Sequence, residues 1–273
     1  MIVRAEALSL EHGGAFVVSC AALPVRRKGV VGMHGLSLRG VGAVAVATAA
    51  LAFAPSALAA PRHAPNHKIN HSTSTNWSGY DVTGGTYTRV SASWTQPAVN
   101  CSVTPTGWSS FWVGLDGDTS NTVEQTGTEA DCSNGRAVYS GWYEMYPKFP
   151  VTYSNPVAAG DHFTASVSTD GRGSFTLTLS DTSKGWTQTA VSRLKHAKLA
   201  SAEVIAEAPS SSGGVLPLAD FGSVGFSAAT VNGATLTSST PGLDPITMAS
   251  GSTVKAKPSN LSNGSFSVSW SHA

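Results

Sequence analysis

The tightest constraint on this chain is a two-residue alternation of apolar and small polar side chains. It is clearest at Phe163-Thr-Ala165-Ser-Val167-Ser, followed by Asp170-Gly171-Arg172-Gly173 and then by Phe175-Thr-Leu177-Thr-Leu179. A period of two places every second side chain on one face of an extended strand, and the turn residues between the runs fold them into a hairpin. Similar runs occupy 87–94, 138–146, 224–231 and 266–270, each bounded by turn-rich text. Many short antiparallel strands imply an all-β sandwich or barrel. Residues 190–207 alone have a helix-favouring composition, which conflicts with that class.

One domain is the expectation for 273 residues with no sign of a second core. Residues 1–59 read as an export leader: Arg26, Arg27, Lys28 and Arg39 precede an apolar run from Val41 to Phe53 and an Ala57-Leu58-Ala59 cleavage-like site. Met33 would start a leader of ordinary length over the same run, and the residues around Arg26-Arg27 match a twin-arginine signal poorly. The run is short for a bilayer and ends at Pro55, so a secreted, extracellular chain without a stable membrane anchor is expected. Residues 60–75 lack apolar periodicity and read as a linker or short pro-segment. They carry His63, His67 and His71 at helical spacing, but Pro61 and Pro65 argue against a helix there, and hence against a metal site. The domain is placed at 76–273.

Five of the 17 Lys and Arg and two of the 16 Asp and Glu precede Ala60, leaving 12 basic against 14 acidic residues. A slightly acidic domain is not expected to bind nucleic acid. Cys20 leaves with the leader, so Cys101 and Cys132 form an even pair, expected to be a disulfide in an oxidising compartment. No CxxC or HExxH occurs, so neither a metal nor another cofactor is expected.

The familiar hydrolytic arrangements fit poorly. Gly-x-Ser-x-Gly is absent, and only His162, His196 and His272 could serve a serine nucleophile in the domain. Asp118-Thr119-Ser120 lacks the turn glycine and the second copy that shared-proton aspartate chemistry needs. Glu203 and Glu207 could flank a glycosidic bond if neighbours on a helix at about 6 Å. In a strand they share a face about 13 Å apart.

Five blocks then occur in order: Asn76-Trp77-Ser78-Gly79-Tyr80, Phe111-Trp112-Val113-Gly114-Leu115-Asp116-Gly117, Glu124-Gln125-Thr126-Gly127, Trp142-Tyr143-Glu144-Met145-Tyr146-Pro147 and Ala202-Glu203-Val204-Ile205-Ala206-Glu207. In this order they resemble the glutamic peptidases, the eqolisins of peptidase family G1, from about Asn76 to Val231. The resemblance implies an antiparallel double-sheet β-sandwich of lectin-like form with a concave substrate face. It implies that 202–207 is a strand, with Phe221 in the one that follows. It also implies that Gln125 and Glu207, not Glu203, are catalytic, and that Trp77, Trp112, Asp116 and Glu144 line or flank the cleft. Trp94, Trp142, Trp186 and Trp270 receive no site role.

The residue types suit water activation. A Glu carboxylate takes a proton from water and returns it to the leaving amine, and a Gln amide offers both an acceptor and donors for the water and the oxyanion. A free Glu titrates near 4.3, so such a pair works in acid. The expected protein is a monomeric acid endopeptidase acting on proteins or peptides. The rival classes are a carbohydrate-binding or glycan-cleaving lectin-like sandwich and an inactive peptidase-like binding module.

Overall fold

A computed structural model describes His63, residues 72–118 and residues 120–273. The leader and most of the 60–75 segment lie outside the described residues. Thirteen strands of five residues or more follow one another, and no helix occurs among the described residues. They are β1 Trp77–Thr83, β2 Arg89–Thr95, β3 Ser110–Leu115, β4 Val123–Ser133, β5 Arg136–Tyr146, β6 His162–Thr169, β7 Ser174–Asp181, β8 Trp186–Arg193, β9 Ser201–Glu207, β10 Ser223–Val231, β11 Leu243–Ser250, β12 Thr253–Pro258 and β13 Phe266–Trp270.

These make two antiparallel layers that share one strand. The first has the order β11-β1-β9-β3-β4-β5, and the second β8-β7-β6-β2-β10-β13-β12-β11. Strand β11 changes sheets along its length: Leu243–Ile246 pair with β1, and Met248–Ser250 pair with β12. The alternation of the sequence becomes the sandwich core. Phe163, Ala165 and Val167 of β6 and Phe175, Leu177 and Leu179 of β7 are buried against Phe111, Val113 and Leu115 of β3 and Ala202, Val204 and Ala206 of β9. Each large side chain removed from water in this way contributes about 1.5–3 kcal/mol.

The hairpin expected around Asp170–Gly173 is present as β6 and β7, with Thr169 opposite Phe175. The helix-favouring stretch instead supplies parts of β8 and β9. Central β9 is buried along its whole length and hydrogen-bonded on both edges, so packing overrides propensity there. Phe221 is buried edge-to-face on Phe111, but it precedes β10 rather than lying in a strand. The sheet also begins before Asn76: Thr73 and Ser74 pair with Thr247 and Met248 in parallel, and Asp244 holds Ser72 through its backbone and hydroxyl.

The two sheets differ in burial. Outer strands β7 and β8 alternate between more and less buried positions, whereas β1, β3 and β9 are buried almost residue by residue. Both faces of β1, β3 and β9 are therefore largely out of water. Cys101 and Cys132 form the expected disulfide, closing a 31-residue separation and tying the loop before β3 to β4. Loop closure of that size is worth about 3–4 kcal/mol. Replacing both cysteines by serine is therefore expected to lower the free energy of unfolding by about that amount. A denaturant midpoint unchanged from the parent would contradict this.

Candidate active site

Cross-strand register arranges the outer face of the first sheet in three rows. Glu207, Ser110, Glu129 and Ser140 form one row across β9, β3, β4 and β5. Ile205, Trp112, Gly127 and Trp142 form the next, and Glu203, Gly114, Gln125 and Glu144 the third. The period of two that fills the core with one set of side chains brings this other set together. Trp77, Trp112, Val123, Trp142, Ile205 and Ile246 make its apolar floor, separate from the sandwich core.

Two motif glycines make room for it. A Cβ on Gly127 would stand 2.1 Å from the Phe111 carbonyl oxygen and 2.6 Å from the Trp112 Cβ. One on Gly114 would stand 2.9 Å from the Trp112 ring. The indole of Trp112 lies where a Gly114 side chain would be, and the backbone and Cβ of β3 lie where a Gly127 side chain would be. Trp112 Nε1 donates to Glu207 Oε2 at 2.8 Å, while Asn76 Nδ2 donates to Glu207 Oε1 at 3.3 Å. Trp77 meets Trp112 edge-to-face at 4.9 Å. Asn76 is itself placed by a tight turn in which Ser74 Oγ accepts from the backbone of Asn76 and Trp77.

Gln125 Nε2 donates to Glu144 Oε2 at 2.9 Å. That bond fixes the amide orientation, and Gln125 Oε1 is buried without a hydrogen bond among the described residues. Gln125, Glu144 and Glu207 are fully buried. His63 lies on the same face: its backbone N–H donates to Glu144 Oε2 at 3.0 Å, and its ring stacks on Trp142 at 3.8 Å.

Asp116 is the exception among the expected site residues. It sits past the end of β3 with φ of 66°, and its two carboxylate oxygens accept the backbone N–H groups of Leu199 and Ala200. Both oxygens are spent on anchoring the entry to β9. Asp116 therefore fixes a loop rather than lining the face that carries Gln125 and Glu207. Conversely, Trp142, Glu129, Ser110, Asn76 and His63 join the site without having been expected there. Strand parity alone would have found three of them: Trp142 is two residues from Glu144, Glu129 four from Gln125, and Ser110 two from Trp112.

Glu203 does not partner Glu207. The two share a face of β9 four residues apart, about 13 Å along an extended strand. Burial pushes the Glu203 carboxyl well above its ordinary range, and Asp81, Asp116 and Asp118 push it further. Asp81, opposite Glu203 on β1, is raised to about 9 by burial and then by Asp118 and Asp244. Glu124, on the inner side of β4, is likewise raised to about 9 by burial and Asp116. Burial thus favours the protonated forms of these three groups, and Glu203 and Glu207 stand further apart than the roughly 5–10 Å that a glycosidase's carboxyl pair spans. No group of three or more metal-ligating side chains occurs among the described residues.

Comparison with known proteins places this geometry. Residues 75–270 match the model of the Peptidase A4 family. Aspergillopepsin-2 of Aspergillus niger is 30% identical over 184 residues, 59% of this chain and 65% of that protein. Scytalidopepsin B of Scytalidium lignicola is 35% identical over 106 residues, 37% of this chain and 39% of that protein. The chain thus spans less than two thirds of either curated relative. Scytalido-glutamic peptidase, solved with a peptide-based transition-state analogue, superposes with a TM-score of 0.63 at 24% identity, covering 72% of this chain and 98% of that one. Aspergilloglutamic peptidase from Aspergillus niger superposes at 0.54 with 28% identity, covering 60% and 99%. With the family's blocks gathered on one face of a double-sheet sandwich, the chain belongs to the Peptidase A4 family, the glutamic peptidases.

Proposed function

We propose that the chain is a secreted acid endopeptidase in which Glu207 and Gln125 activate water against a peptide bond. One observation carries the reading. Glu207 is buried with both oxygens held by neutral donors, Trp112 and Asn76, while Gln125 on the same face keeps its carbonyl oxygen unpaired and its amide turned by Glu144. In this mechanism Glu207 takes a proton from water as the water oxygen attacks the scissile carbonyl carbon. Gln125 positions the water and donates to the oxyanion that forms. When the tetrahedral centre collapses and the C–N bond breaks, Glu207 gives the proton to the leaving amine. Trp112 aims Glu207, Trp77 buttresses Trp112, and Glu144 is a positioning residue for Gln125.

Peptides are the substrate class. The relatives support this: scytalido-glutamic peptidase is solved with a peptide-based transition-state analogue, and SCP-B in a complex with the tripeptide Ala-Ile-His. The export leader read in the sequence supports secretion.

Acid working conditions have a structural basis beyond the Glu207 carboxylate. Asp81, Glu124 and Glu203 are held in their neutral forms by burial, and neutral carboxyls suit an acidic medium. Their folded-state pKa values lie above those of an unfolded chain, near 4. The stability tied to their protonated forms is thus fully present below about pH 4 and is lost as pH rises through the folded values.

Two outcomes follow. Glu207→Gln and Gln125→Ala are each expected to lower kcat by at least about 10²–10³-fold with an unchanged fold, read by peptide hydrolysis beside circular dichroism. A folded Glu207→Gln chain with parental turnover would contradict the assignment. The thermal midpoint is expected to fall as pH rises from about 4 towards 9, with a shallower fall in Glu124→Gln. A midpoint rising across that window would contradict the protonated state of these acids.

A further inference from the structure

A groove of about 480 Å³ is lined by Thr75, which precedes β1, by residues 214–217 after β9, by Ser250 of β11, by Lys255 of β12 and by Ala273. Lys255 is only 7% exposed, and the backbone N–H groups of Ser271 and His272 donate to its carbonyl. Its ammonium makes no ion pair or hydrogen bond among the described residues. Burial holds its pKa below the ordinary lysine value, and no neighbouring acid opposes that shift. Thr75 Oγ1, in the same groove, is also buried without a hydrogen bond among the described residues. Each group left in this way costs free energy, the ammonium most of all. An ammonium offers donors only and a hydroxyl can donate, so what the two lack in common is an acceptor carrying negative charge.

We propose that this groove binds a phosphate or sulfate monoester, its anionic head on Lys255 and the Thr75 hydroxyl and its apolar body against Val215, Leu216 and Pro217. The volume lies within the range of small-molecule sites, about 300–1,000 Å³, and leaves room for more than a bare oxyanion. The wall fits that division: three apolar side chains stand beside two donors. A carboxylate is the poorer partner. Carboxyls of ordinary pKa, near 4, lose their charge in the acid medium proposed above, whereas phosphate and sulfate monoesters keep a negative charge there. A charge-assisted hydrogen bond to such a head is among the strong ones, and it would give Lys255 the counter-charge that the chain does not supply. None of the lining residues has a role in the machinery proposed for Glu207 and Gln125, so occupancy of the groove is separable from peptide hydrolysis.

The test titrates the full chain in mild acid with phenyl phosphate, inorganic phosphate and phenol, reading the heat of binding and the thermal midpoint. Phenyl phosphate is expected to bind saturably and to raise the midpoint, because a ligand of the folded state stabilises it by mass action. Inorganic phosphate, without an apolar body, should bind more weakly, and phenol, without the charge, at least about tenfold more weakly. Lys255→Met keeps an apolar stem and removes the ammonium. It is expected to weaken phenyl phosphate by about tenfold or more, and to raise the midpoint of the unliganded chain because a lone buried charge is gone. Thr75→Val is expected to weaken it by about threefold to tenfold. No midpoint shift in the parent, equal affinity for phenyl phosphate and phenol, or binding that survives both substitutions would overturn the site. Should Lys255→Met not fold, Thr75→Val decides: an affinity equal to the parent's would overturn it.

Discussion

A carboxyl group enclosed on both sides by protein must either find donors or give up its charge, and the first sheet of this sandwich is organised around that choice. Its strands are buried nearly residue by residue, yet they carry Asp81, Glu124, Gln125, Glu129, Glu144, Glu203 and Glu207. Glu207 is given Trp112 and Asn76, and Glu129 is given Ser140 and His63. Asp81, Glu124 and Glu203 are instead kept protonated, at one end of the sheet or on its inner side. The division separates an end where acids are held by hydrogen-bond donors from an end whose acids are neutral themselves. Burial that would be costly for a protein working at neutral pH suits one working in acid.

The rest of the architecture serves that sheet. The second sheet covers its inner face with Phe163, Phe175 and their neighbours, which leaves the outer face to present three rows of functional side chains. Gly114 and Gly127 give up side chains so that Trp112 can lie across the rows and reach Glu207. Asp116 holds the backbone at Leu199 and Ala200 and so fixes the entry to β9, whose far end carries Glu207. The motif glycines shape the site by leaving room, and Asp116 by holding backbone N–H groups.

Much of this was legible in the sequence. The alternation at 163–179 specified a hairpin, because a period of two survives translation into structure wherever one face is buried and the other is not. The five ordered blocks pointed to Gln125 and Glu207, and the structure puts them on one face. What misled was local. Residues 190–207 carry helix formers, but burial and pairing on both edges decide the outcome for β9. Asp116 lies in a conspicuous block, and nothing in a linear text tells a carboxylate that binds backbone N–H groups from one that faces a cleft. Trp142 and Glu129 were within reach by counting in twos from Glu144 and Gln125. His63 was not, since a polar segment with prolines and three histidines carries no periodicity to say where any one of them lands.

The central proposal is that the Glu207 carboxylate and the Gln125 amide together hydrolyse peptide bonds in acid. The most direct measurement is kcat/KM for hydrolysis of a denatured protein by the purified chain from pH 2 to 7, with and without a metal chelator. The account predicts cleavage confined to acid, indifferent to the chelator, and limited on its acid side by a single carboxyl ionisation. An optimum near neutrality, or activity abolished by the chelator, would contradict it.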